Sequence, residues 1–149
     1  MDVKSLARWL SGYLQCLRRL SGNRCDFWSF TISSEGRLQE SLDDFFKSNA
    51  IETTILGETS IGYPELESLL REHLFSKLAI EDPNLPGLFA WDIVEQIQMS
   101  YRELELQPDP LSNGHAVCFS VHSQFRGPHV YMVIPVSERA LAIALGTRA

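Results

Sequence analysis

A chain of 149 residues with 44% hydrophobic and 21% charged residues has the size of one domain and the composition of a folded protein, not a disordered one. Its net charge of −6 is uneven: residues 1–24 hold five basic and one acidic residue, a net +4, whereas residues 35–109 hold sixteen acidic and five basic, a net −11. An acidic middle repels a phosphate backbone and argues against nucleic-acid binding, and no run approaches the roughly 20 apolar residues that a membrane-crossing helix needs.

The first element is expected as a helix over residues 3–21. At about 100° per residue, Leu6, Trp9, Leu10, Tyr13, Leu17 and Leu20 share one arc, with Arg8, Ser11, Gln15 and Arg19 opposite. The charges among these positions interrupt the unbroken apolar run of a signal peptide. A core helix is the better reading than one lying on a membrane, because that arc is what a sheet needs to cover. Residues 26–33 alternate, with Trp28, Phe30 and Ile32 against Ser29 and Thr31, as a half-buried strand does.

A second helix over 36–48 turns Leu38, Leu42, Phe45 and Phe46 inward. Residues 50–56 alternate weakly as a strand. Pro64 suits the first turn of a third helix running to about residue 79, and a fourth is expected over about 87–105. Residues 115–123 and 129–135 read as the arms of a hairpin turning at Phe125, Arg126 and Gly127. Ser137 is positioned to cap a last short helix over 138–145. The sequence therefore predicts one domain, 1–149, of α+β class: a mixed sheet of about four strands, including a C-terminal antiparallel hairpin, covered by four to five helices on one face.

Candidate chemistry is mostly excluded by geometry. His115, Cys118 and His122 have the look of a zinc set, but on a strand His115 points away from the other two. Cys118 and His122 would stand about 13 Å apart at roughly 3.3 Å per residue, too far to converge on one ion. Gly57 to Gly62 has the glycine spacing of a phosphate-cradling loop, yet Tyr63 and Pro64 stand where lysine and a hydroxyl residue belong. Neither glycine suits a nucleophile elbow, because Gly57 precedes Ser60 by three residues. The carboxylates fall on outward faces of amphipathic helices, not in a converging pair. Three widely spaced cysteines fit free thiols in a reducing compartment. No cofactor or metal is implied, and the cytoplasm is the expected location.

One feature is unexplained by a core. The fourth helix carries an apolar stripe of Phe89, Ile93, Ile97, Tyr101 and Leu104, and a second one opposite it. There, Leu88, Trp91 and Met99 lie among Asp92, Glu95 and Arg102. Aromatic and methionine anchors ringed by charge mark a protein-binding face, and the hairpin tip, Phe125 and Arg126, is a further contact candidate. The expected function is a non-enzymatic binding module, an acidic inhibitor or immunity-type protein masking a basic partner surface. An export chaperone for a secreted client is the alternative within that class. A small ligand-binding or enzymatic domain built on Ser120, His122, His129 and Tyr131 is the rival outside it. The same exposed stripe would equally serve a homodimer.

Overall fold

Asp2 starts the first helix. Its Oδ1 accepts the Ser5 N–H at 2.7 Å and its carbonyl accepts the Leu6 N–H, the arrangement of an N-cap. The computed structural model describes residues 2–20, 25–77, 84–103, 111, 115–123, 127–136 and 138–147. Their order is α1 (Val3–Leu20), β1 (Cys25–Ser33), α2 (Leu38–Ser48), β2 (Thr53–Ile61), α3 (Tyr63–Lys77), α4 (Leu85–Glu103), β3 (Ala116–Ser123), β4 (Gly127–Pro135) and β5 (Arg139–Thr147). The class is α+β, with four helices around one five-stranded sheet of order β1-β5-β4-β3-β2.

Several expectations need correction. Residues 138–145 are not a helix but most of β5, which lies between β1 and β4 and pairs antiparallel with both. The sequence Ala-Leu-Ala-Ile-Ala-Leu has helix formers throughout, yet its sizes alternate strictly. Ala140, Ala142 and Ala144 point to one face of the sheet, Leu141, Ile143 and Leu145 to the other, and all six are buried. A strand buried on both faces shows no polar alternation, so the helical propensity of Ala and Leu misleads. The strand count rises accordingly from four to five, and every pairing is antiparallel, so the sheet is not mixed.

The third correction concerns the faces. α1, α3 and α4 cover one side, packing Leu6, Leu10, Leu66, Ile93 and Ile97 into a core with Phe27, Met132, Ile134 and Leu141. α2 lies on the other side, where Leu42 and Phe46 meet Phe119, Tyr131 and Val133. The small alanines of β5 face this second core, which is rich in rings: Phe46 meets Tyr131 edge-on with centroids 5.0 Å apart, and Phe30 stacks on Phe45 at 4.0 Å.

Two turns explain particular residues. α2 ends in a Schellman motif, with Ile51 N–H bonded to the Phe46 carbonyl at 2.8 Å and Ala50 N–H to the Lys47 carbonyl at 3.3 Å. The motif places Ala50 at φ 53°, a left-handed conformation that usually falls to glycine. β2 runs to Ile61 and not to residue 56, with a bulge between Ile55 and Gly57. The Gly57–Gly62 segment is thus mainly strand. Gly62 heads α3: its carbonyl accepts the Leu66 N–H, its own N–H bonds Glu65 Oε2 at 3.0 Å, and a Cβ there would lie 3.0 Å from the Leu111 carbonyl.

Candidate partner-binding face

α4 is amphipathic twice over. Ala90, Ile93, Ile97 and Tyr101 are buried and Phe89 and Val94 half-buried, facing α1, α3 and the sheet. Buried Ser100 satisfies its hydroxyl by donating to the Gln96 carbonyl at 2.8 Å. On the opposite side Leu88, Trp91 and Met99 retain 57%, 54% and 45% of their surface. Leu88, Glu95, Met99 and Arg102 follow one ridge at helical spacings of seven, four and three residues, with Trp91 and Asp92 on its two flanks. Asp92 and Arg102 are exposed and Glu95 half-buried. The helix therefore gathers on one face all six of its residues singled out from the sequence.

The Asp92 flank is tied down. Tyr13 of α1 donates its hydroxyl to Asp92 Oδ2 at 3.0 Å while its ring meets Phe89 edge-on at 6.4 Å. Burial, and then the neighbouring Asp92 carboxylate, push the Tyr13 phenol well above its ordinary pKa, so it stays a neutral donor across the physiological range. Trp9 stacks on the same ring at 5.2 Å with 36% of its surface exposed. Sequence reasoning had put Trp9 in the core. Val3, Ala7 and Leu14 are buried too, and adding them rotates the buried arc of α1 away from Trp9 and Leu20, which is also exposed. Trp9 thus joins the apolar surface beside α4, and the missing signal was present in the small and aliphatic residues left out of the arc.

On α4 itself Asp92, Glu95 and Glu103 stand against Arg102, and Arg71 of α3 is engaged with Glu67 at 2.6 Å. His73 of α3 is half-buried, with Nδ1 2.9 Å from the Leu69 carbonyl, a satisfied boundary histidine.

Among the described residues, the four hairpin candidates do not share one face of the sheet. Ser120 and His122 lie on the α1 side of the sheet, whereas Tyr131, paired with Phe119, points to the α2 side and is buried there. His129 is exposed and sits at the irregularity where β4 meets β5, and the β3–β4 pairing runs from Val117↔Val133 to Ser120↔Val130. Cys118 is buried, and burial pushes its thiol up to about 11, which leaves it protonated and a poor nucleophile. Among the described residues no three His, Cys, Asp or Glu side chains converge as metal ligands. Phe125 and Arg126 lie outside the described residues. No helix among the described residues is long and apolar enough to cross a membrane. Comparison with protein-family models, with curated proteins and with solved structures finds no match to this chain.

Proposed function

We propose that the chain is a non-enzymatic protein-binding module that uses the outer face of α4 to mask a basic surface of a partner protein, in the manner of an acidic inhibitor or immunity-type protein acting in the cytoplasm. The observation that carries this reading is the exposure of Leu88, Trp91 and Met99 together on one helical face. Aromatic and methionine side chains exposed on one helical face and rimmed by charge are the pattern of an interaction site. Trp91 and Met99 supply anchors, and the surrounding carboxylates accelerate encounter with a cationic partner while adding little to the bound energy.

The test is retention of a partner from native lysate on the immobilised chain, with Trp91→Ala and Glu95→Arg carried in parallel. A basic protein held in stoichiometric amount, released as salt is raised and lost from the Trp91→Ala column, supports the reading. Affinity unchanged in both variants would dispose of the α4 face as the binding surface.

A further inference from the structure

We infer that the open edge of β1 is a self-association surface, on which a second copy of this chain docks face-inverted, so that the basic wall of one copy meets the acidic wall of the other. The inference is independent of the α4 reading, since it uses a different part of the molecule.

Among the described residues β1 is an edge strand, with β5 on its inner side. α1 flanks it on one face of the sheet and α2 on the other. Between α1 and β1 lies a cavity of about 310 Å³ with Lys4 and Arg8 on its rim, reaching Ser29, Phe30 and Thr31. Between α2 and β1 lies one of about 410 Å³ lined by the acidic Glu35, Glu40 and Asp44 and by Arg139, reaching Thr31, Ile32 and Ser33. Lys4, Arg8, Glu40 and Asp44 are exposed, and none of the four takes part in an ion pair among the described residues. Thr31 borders both cavities, so the opposite charges stand at the same level along the strand.

That placement selects one symmetry. A two-fold axis perpendicular to the sheet would run two β1 edges antiparallel, set α1 beside α1 and α2 beside α2, and oppose like charges. A two-fold axis lying in the sheet and parallel to β1 inverts the faces and keeps Thr31 level with Thr31. It brings Lys4 and Arg8 of each copy to Glu40 and Asp44 of the other, and closed two-fold symmetry is the commonest oligomeric arrangement. Exposed ion pairs orient more than they hold. The adhesive part is aromatic: Trp28 and Phe30 are half-buried on the α2 side of β1, stacked at 4.6 Å. In the inverted arrangement they face α1 of the second copy, within reach of its Arg8 for cation–π contact. The Arg139 guanidinium donates to the Thr31 carbonyl at 3.0 Å, which occupies one acceptor of the edge at the level of the charged pairs.

The test is charge exchange read by sedimentation. At micromolar concentration and low salt the unaltered chain is expected at twice its 16.9 kDa mass. Lys4→Glu/Arg8→Glu and Glu40→Lys/Asp44→Lys are each expected to sediment at the single-chain mass. An equal mixture of the two is expected to regain the doubled mass, because only the mixed dimer then pairs opposite charges at both contacts. Trp91→Ala should leave the doubled mass untouched. A single-chain mass for the unaltered protein at every concentration overturns the inference. So does a doubled mass that survives in both exchanged variants, or a mixture that stays monomeric. A dimer that dissolves in Trp91→Ala alone also overturns it, by assigning self-association to α4.

Discussion

The two faces of α4 make opposite predictions for the stability of the isolated chain, and the contrast tests the binding face without a partner. Ile97 is fully buried. Truncating it to Ala removes three methyl or methylene groups from the core and leaves a hole, which costs about 3 kcal/mol in comparable sites. For a chain of this size that lowers the melting temperature by roughly 6–12 °C. Trp91 keeps 54% of its surface, and a helical side chain lies back over its own preceding turn, which accounts for much of what is covered. Little tertiary contact is lost with it, and Ala gains about 0.5 kcal/mol of helix propensity over Trp. Trp91→Ala is therefore expected within about 0.5 kcal/mol of the unaltered chain. Urea denaturation followed by far-ultraviolet circular dichroism measures both, since it does not depend on the removed indole. A loss above about 1.5 kcal/mol for Trp91→Ala, beyond any surface effect, would mean that the indole is part of the fold, and the reasoning from exposure to binding would fail.

Other measurements probe separate links. Ala50→Gly should stabilise the chain by about 0.5–1 kcal/mol in the same titration, because relief of left-handed strain exceeds the added unfolded-chain entropy; a neutral or destabilising result would contradict the α2 terminus described above. Tyr13→Phe should cost about 0.5–1.5 kcal/mol by removing the hydroxyl that joins α1 to Asp92, whereas Asp92→Asn, which keeps an acceptor, should cost less. In a Cys25→Ser background, exposed Cys16 should alkylate rapidly near pH 8 and buried Cys118 only on unfolding, as mass spectrometry would show. Because the Cys118 thiol titrates higher in the fold, at about 11, than its free value of about 8.5, its contribution to stability is complete below the free value. It is lost as pH rises toward the folded one, and Cys118→Ala should remove that slope.

The sequence is most informative where one side of an element meets water. α4 alternates between apolar and polar residues at the helical period, and its inner face could be read directly, whereas in β1 the polar alternation misleads, because Ser29 is buried under α1 with its hydroxyl bonded to the Ala7 carbonyl. The six α4 residues proposed for binding were identified in this way, because a Trp and a Met stood where the period demanded polar side chains. Legibility fails in β5, where both sides are dry and the size alternation of Ala with Leu or Ile is the only surviving trace. It fails also for α2: its own pattern reveals which side is apolar but not which face of the sheet receives it. The bulky rings of Phe30, Phe46 and Tyr131 opposite the alanines carry that information, and they become meaningful only when strand order is known. The second wall of β1 was invisible for the same reason, since Lys4 and Glu40 flank one edge, on opposite faces of the sheet, through topology and not through proximity in the chain.

The place of β5 also governs when this protein can fold during synthesis. Every other described element precedes it in the chain, yet β1, made more than a hundred residues earlier, has no strand to bond until β5 arrives between it and β4. A nascent chain that has emerged only through β4 can form the local β3–β4 hairpin, the α3–α4 pair and the packing of α1 and α2 on β1, but β1 stays unbonded to the rest of the sheet. Closing so long a span must precede its reward, which slows folding and lengthens the exposure of unpaired strand edges. Until β5 is made, the bonding edges of β1 and β4 that it joins therefore stay open.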